Sequence, residues 1–171
     1  MTFAEMTDRR FSVKKFTDQP VEEEKLQKIL ETAGKAPTAK NAQCIRIYVL
    51  KSEEAVNKAR KLTPCTYGAP VVLLFSYEES EAYTYPRQNE QNSGAEDCSI
   101  VATHVMFEAL EQGLGTCWVN NFNPEEAHQA FSLPESEHVV LLMPLGHADP
   151  AFHALPNHTA KKSLNQIVHV L

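Results

Sequence analysis

The first segment with side chains suited to chemistry is a basic stretch near the start of the chain, residues 10–14, here called the basic segment. Arg10, Ser12 and Lys14 occupy alternate positions, with Phe11 between the first two. On an extended backbone alternate side chains point to the same side, so a guanidinium, a hydroxyl and an ammonium would face one ligand. These donors suit a phosphate or another polar anion. Short charged runs are also commonly just solvated, and the spacing leaves both interpretations open.

A second candidate is the polar loop, residues 36–43, which includes Pro37, Thr38 and Asn41. It follows a predicted helix end and precedes a predicted strand. Hydroxyl and amide side chains on a loop between rigid elements often bind ligands, but ordinary turns have the same composition. Taken alone, the loop therefore does not decide between a binding site and a turn.

The third candidate is the glycine–asparagine segment, residues 113–121, in which two glycines precede Val119, Asn120 and Asn121. Glycines let the backbone approach a flat ligand or another chain closely. Their spacing is not G-x-G-x-x-G, and they follow a predicted helix, whereas the dinucleotide fingerprint follows a strand. The pattern therefore excludes a Rossmann dinucleotide site.

Length and composition indicate one soluble globular domain over residues 1–171, with 43% hydrophobic residues. The formal net charge of −6 argues against a nucleic-acid partner or an anionic membrane surface, since both favour a basic face. The first residues lack a basic and then apolar secretion signal, and the apolar runs at 69–75 and 139–145 are too short to cross a bilayer. We expect a cytoplasmic protein without membrane contact.

Cysteines and histidines give no metal pattern. The four cysteines include no C-x-x-C pair, so we expect reduced and mostly buried thiols. Of the seven histidines, His147, His153 and His158 lie near Asp149 in a proline-containing stretch. Their spacing matches neither H-E-x-x-H nor a zinc finger, and we predict surface histidines and no metal.

Helix and strand signals alternate along the chain. Helices are predicted near residues 3–9, 22–33, 52–62, 93–112 and from 123, and strands at 45–49, 71–75, 116–120 and 139–142. Ser93 and Glu96 are predicted to form a capping box, and Ile100 to face the core with the other apolar residues of its helix. The periodicity of the apolar residues alone predicts an α/β or α+β sandwich, with helices covering a sheet. The apolar end, residues 167–171, needs a surface on its own sheet or on a second subunit.

Taken together, the three segments resemble the nitroreductase family of flavoenzymes. The family's opening Arg-x-Ser-x-(Arg/Lys) motif matches residues 10–14, and its Pro-Ser-x-x-Asn-x-Gln-Pro-Trp motif matches residues 37–45. An acidic helix start followed by Gly-Leu-Gly-x-x-Trp matches residues 96–118, and the closing Leu-Gly and basic signature match residues 145–146 and 161–164. The resemblance extends from about residue 5 to the end of the chain.

This resemblance implies a three-layer α+β sandwich, with a central and mainly antiparallel sheet flanked by helices, in a homodimer with FMN at the subunit interface. It implies an oxidoreductase in which NAD(P)H reduces FMN and a small oxidised acceptor (a nitroaromatic, quinone, enone or flavin) then takes the electrons, in ping-pong hydride transfer. The flavin N5 does the chemistry, and no side chain is predicted to be catalytic. The alternatives are an FMN sensor or store without turnover, a dehalogenating, dehydrogenating or flavin-fragmenting enzyme, and a flavin-free interaction domain.

The resemblance also implies four sets of FMN-binding residues. These are Arg10, Phe11, Ser12 and Lys14; Pro37, Thr38 and Asn41; Val119, Asn120 and Asn121; and Lys161 with Lys162. The basic segment would bind the phosphate, the ribityl chain and the pyrimidine edge, and the closing lysines would complete the phosphate site. The polar loop would reach the flavin bound mainly by the other subunit, and the glycine–asparagine segment would line the ring, with a backbone N–H facing N5.

Several positions depart from the family pattern. Cys44-Ile45 replaces Pro-Trp, Thr38 replaces serine, and Asn120-Asn121 stands where small residues or an acid are common. These changes bear on the shape of the pocket and on its redox tuning. The polar stretch at residues 77–92 is the candidate lid, with Tyr83 or Tyr85 over the flavin.

Overall fold

The computed structural model describes residues 1–89 and 91–171. Its helices are α1 (Phe3–Arg9), α2 (Glu23–Ala33), α3 (Glu53–Leu62), α4 (Gly94–Glu111) and α5 (Pro124–Phe131). Its strands are β1 (Ile45–Leu50), β2 (Val71–Glu78), β3 (Gly115–Thr116) and β4 (Glu137–Gly146). Each predicted element is present, and the local signals explain most starting points: the Ser52 hydroxyl caps α3, and Asn123 caps α5.

The strands form one antiparallel sheet in the order β1-β2-β4-β3. β1 and β3 are therefore its two edges, with β2 and β4 between them. Successive side chains of β2 point to opposite faces: Leu73 and Phe75 belong to one apolar cluster, and Val72 and Leu74 to another. Both faces of the central strands are thus buried.

Helices cover each face. Leu26 of α2 and Val105 of α4 pack with Phe75 in the first cluster, and Ala59 of α3 and Ala127 of α5 belong to the second cluster, on the other face. The short α1 lies on α4. The predicted three-layer α+β sandwich with an antiparallel central sheet is confirmed.

Two details of α4 differ from prediction. The Ser93 hydroxyl donates to the Asp97 carboxylate at 2.7 Å and caps no backbone N–H, so the predicted capping box with Glu96 is wrong. In a capping box the Ser93 hydroxyl would accept a backbone N–H, but here it donates its hydrogen bond to the buried Asp97 carboxylate. Ile100 is 38% exposed, and its predicted core position is also wrong.

Strand lengths also differ. β3 ends at Thr116; beyond it the Cys117 N–H donates to the Pro144 carbonyl at 3.3 Å, and Val119 bridges Leu142. β4 begins at Glu137, earlier than predicted, because this carboxylate is buried by hydrogen bonds from Tyr48 and Ser76. The polar residues 137–138 therefore placed the predicted start of this strand too late.

The C-terminal segment, residues 147–171, has little regular structure, with 3₁₀ turns at Pro156–His158 and Leu164–Gln166. Its apolar end does not dock on the sheet of its own chain, since Ile167 is 63% and Val170 95% exposed. No helix within the described residues has the length and apolar character needed to cross a bilayer.

Candidate functional site

The basic segment runs beside β3. Ser12 forms a parallel bridge with Thr116, whose carbonyl accepts the Val13 N–H at 2.9 Å. Val13 is buried and Lys14 exposed, so the backbone is extended with one face packed inward. A Cβ added at Gly115 would lie 2.5 Å from a Val13 methyl group. Glycine at this position therefore lets the basic segment lie against the sheet edge.

The buried thiol of Cys117 lies near the basic segment. Burial raises the pKa of this thiol, while the positive charges of Lys14 and Arg10 and a hydrogen bond from Ser12 act to lower the pKa. All three groups therefore lie close enough to influence one sulfur atom. The segment that carries the predicted guanidinium, hydroxyl and ammonium therefore lies at the β3 edge of the sheet.

A cleft of about 200 Å³ lies between the basic segment and the C-terminal segment. Its lining residues are Phe11, Ser12, Lys14, Leu155, Asn157 and His158. The Phe11 ring packs 6.3 Å from those of Phe152 and His158. Lys161 and Lys162 lie outside the cleft and are exposed. Cofactor pockets usually measure roughly 300–1,000 Å³, so this cleft alone is smaller than such a pocket.

The glycine–asparagine segment is fixed by its own side chains. Asn120 accepts a hydrogen bond from the Trp118 indole at 2.7 Å and donates to the Val140 carbonyl at 3.0 Å. Val119 is buried, and its N–H donates to Leu142 at 3.0 Å. Asn120 therefore stabilises the turn after β3, and Trp118 packs against the first apolar cluster.

Asn121 contacts a residue that the sequence did not indicate as part of the site. Its amide lies 3.7 Å from the sulfur of Cys65, in the turn before β2. A hydrogen bond from Tyr67 lowers the pKa of the Cys65 thiol, and the Lys14 charge adds to this effect. The same hydrogen bond raises the pKa of Tyr67 to about 12. The spacing of Cys65 along the chain gave no signal, because its partners come from distant segments.

The polar loop has an unusual backbone. Lys40, Asn41 and Gln43 have positive φ values of 50°, 56° and 51°, which non-glycine residues uncommonly adopt. The Thr38 hydroxyl accepts the Gln43 N–H at 3.1 Å. Asn41 is exposed at the tip, in a 3₁₀ turn over Ala39–Asn41.

The candidate lid lies against this loop. The Lys40 ammonium is 4.5 Å from the centre of the Tyr83 ring, a cation–π contact. Tyr83 in turn meets Tyr85 edge-on at 5.8 Å, and the Tyr85 hydroxyl hydrogen-bonds Glu96. Glu90, also within the predicted lid, lies outside the described residues.

The polar loop and the basic segment are not neighbours within one chain. The loop leads into β1, whereas the basic segment pairs with β3, at the opposite edge of the sheet. Neighbouring strands are about 4.8 Å apart, so the two edges are separated by about 14 Å of sheet. β2, β4 and the covering helices lie between them. The predicted site residues therefore form two groups, and a single chain does not join these groups into one cavity.

Two histidines make hydrogen bonds to carboxylates near the surface. His147 lies 3.0 Å from Glu22, and His138 lies 3.1 Å from Glu79. Among residues 1–89 and 91–171, no three His, Cys, Asp or Glu side chains are grouped to bind a metal ion.

Comparison with known proteins decides the family. A sequence model of the nitroreductase family matches residues 7–65 and 57–147, which together are most of the chain. The chain belongs to the nitroreductase family. A crystal structure of a family member from Clostridium difficile superposes with a TM-score of 0.92 and 32% identity, covering 99% of this chain and 98% of the other.

Two further relatives concern FMN. An FMN reductase [NAD(P)H] of Bacillus subtilis is 28% identical over 159 residues, which cover 83% of this chain and 64% of that enzyme. A nitroreductase-like protein of Exiguobacterium sibiricum, solved in complex with FMN, has a TM-score of 0.85 at 20% identity, with 100% of this chain and 98% of that chain covered. At this identity, the second comparison concerns the fold alone.

Proposed function

We propose that this chain is an FMN-dependent oxidoreductase that uses NAD(P)H to reduce a small oxidised acceptor, and that it acts as a homodimer of single-domain subunits. Family membership and the similarity to an FMN reductase [NAD(P)H] support the activity. The observation on which the dimer depends is the separation of the basic segment and the polar loop at opposite sheet edges.

The donor set at the basic segment fits FMN. Arg10, Ser12 and Lys14 lie on one extended segment at the β3 edge of the sheet, and their side chains all act to lower the pKa of the nearby Cys117 thiol. Guanidinium, ammonium and hydroxyl groups are the donors that bind a phosphate and a polyhydroxy chain. We propose that Lys161 and Lys162 add to this phosphate site.

When bound, FMN would supply hydride transfer at N5. Lys14 would favour negative charge on the pyrimidine edge, because a nearby cation stabilises an anion. Asn120 would keep the turn after β3 in shape beside the ring, through its bonds to Trp118 and Val140. Asn121 would connect that turn to Cys65. The chain's role is to bind and orient, with protons drawn from water.

A second copy would complete the site. The polar loop of one subunit, with Pro37, Thr38 and Asn41, would meet the basic segment of the other. An apolar groove between α1 and α4, lined by residues that include Phe3, Met6 and Phe107, and the exposed C-terminal apolar residues offer surface for this association. The four unpaired cysteines support a reducing, cytoplasmic setting.

Anaerobic titration tests the activity. Purified protein mixed with excess FMN and then desalted should retain a flavin absorbance, and NADH or NADPH should bleach the absorbance without oxygen. Retention without bleaching would instead favour a sensor or store, and lack of retention would favour a flavin-free interaction domain. Replacing Arg10 and Lys14 together by alanine should give colourless protein, and full FMN retention in that variant would contradict the assigned site.

A further inference from the structure

Asp97 is a buried carboxylate at the start of α4. It is 2% exposed, and both of its oxygens accept hydrogen bonds. One oxygen accepts the backbone N–H of Ala39 at 2.9 Å. The other accepts the Ser93 hydroxyl at 2.7 Å and lies 3.9 Å from the Cys44 sulfur. Asp97 therefore contacts Ala39 within the polar loop and Cys44, the residue that follows this loop.

The polar loop needs such a contact, since its backbone is not regular. Lys40, Asn41 and Gln43 all lie in the left-handed region, which costs free energy for residues other than glycine. Conformations of this kind persist when surrounding contacts determine them. The bond from Ala39 to Asp97 spans 58 positions of sequence, and it fastens the loop to a long helix.

The thiol of Cys44 fits the same arrangement. Burial raises the pKa of Cys44, and the neighbouring Asp97 carboxylate raises it further. The thiol therefore keeps its proton and can donate weakly to the carboxylate. A proline, the usual family residue here, has no such donor, so the departure at Cys44 adds a contact to Asp97.

We infer that Asp97 is a positioning residue of the flavin site, fastening the polar loop to α4 so that Thr38 and Asn41 are presented to the flavin of the partner subunit. This inference rests on the proposed function and deepens it. Asp97 is buried, so it would act through the loop backbone at Ala39.

Asp97→Asn tests this role, because asparagine keeps the size and removes the charge. Its matched control is Glu137→Gln, another buried carboxylate, which is 5% exposed and accepts hydrogen bonds from Tyr48 and Ser76. Charge-assisted hydrogen bonds are stronger than neutral ones. We expect Asp97→Asn to raise the FMN dissociation constant about tenfold and to speed hydrogen exchange at the Ala39 amide. Glu137→Gln should lower stability and leave both quantities unchanged.

A gentler variant keeps the test decisive if Asp97→Asn does not fold. Ser93→Ala retains the carboxylate and removes one of its hydrogen bonds, and it should raise the FMN dissociation constant about threefold. Unchanged Ala39 exchange and FMN affinity in a folded variant would overturn the inference, as would equal losses in Glu137→Gln. Failure of the wild-type chain to bind FMN would overturn the proposed function itself.

Discussion

The central sheet of this chain buries its apolar side chains, whereas the C-terminal segment exposes its own. Phe75 on β2 and Leu141 on β4 are fully buried between the helical layers of one chain. Ile167 and Val170, near the end of the chain, are mostly exposed in one chain. The sheet buries its residues within one chain, whereas the C-terminal segment leaves its apolar residues exposed. Under the proposed function, the fold is complete within one chain and a second copy completes the FMN site.

The candidate site residues are likewise divided into two groups. The basic segment is fixed by β3, and the polar loop by α4 through Asp97, at opposite edges of the sheet. Each group is held in place by the folded core. In the proposed homodimer, association of two copies would only bring the two preformed groups together. This comparison predicts that core and C-terminal substitutions will affect different measured quantities.

The largest effect is expected in the core. Phe75→Ala should lower the free energy of unfolding by about 3–5 kcal/mol, because it leaves a cavity between two packed layers. Urea denaturation at one fixed protein concentration measures this, since a dimer's stability depends on concentration. Gln129→Ala, exposed on α5, should stay within about 0.5 kcal/mol of wild type. If Phe75→Ala lowered the free energy of unfolding as little as Gln129→Ala, the stabilising role given to the buried sheet would be contradicted.

A smaller effect on association is expected in the C-terminal segment. Ile167→Asp places a charge on an apolar surface and should raise the dimer dissociation constant about tenfold or more. Helical circular dichroism should not change. Sedimentation over a range of concentrations measures the constant, and Gln129→Asp is the control for added charge. A dimer unaffected by Ile167→Asp would show that this segment does not contribute to the interface.

The smallest effect concerns alkaline pH. Burial and a hydrogen bond to Glu137 raise the pKa of Tyr48 to about 12, from its ordinary value of 10. Between these values the folded chain keeps a proton that the unfolded chain has lost, so stability falls as pH rises above about 10. Partial exposure limits the loss to below about 1 kcal/mol. Urea midpoints at pH 8.5 and 11 measure the fall, and Tyr48→Phe should reduce it; an identical fall in that variant would contradict this cause.

The fold was predictable where local signals decide structure. Ser52 and Asn123 mark helix starts, and apolar periodicity marks the faces of β2 and α4. Prediction failed where a side chain forms a hydrogen bond that no local pattern indicates. The Ser93 hydroxyl donates to Asp97 and forms no capping box. Glu137 lies within β4, where its buried carboxylate accepts hydrogen bonds from Tyr48 and Ser76 on two other strands.

The candidate site was predictable in its residue types more than in its arrangement. Alternation in the basic segment correctly indicated an extended chain, because Val13 is buried and its neighbour Lys14 exposed. The roles of Cys65 and Asp97 were not visible, since the contacts of Cys65 with Asn121 and of Asp97 with Ala39 join segments more than fifty positions apart. Such contacts depend on topology, and no local pattern encodes them.

The most direct test of the central claim uses mixed dimers. One subunit would have Arg10→Ala with Lys14→Ala, and the other Thr38→Ala with Asn41→Gly, each with its own affinity tag. Both homodimers should bind FMN weakly. In a mixed dimer the intact basic segment of one copy meets the intact polar loop of the other, so a single site with wild-type affinity should return. Mixed dimers that bind FMN as weakly as both homodimers would contradict a site shared between two copies.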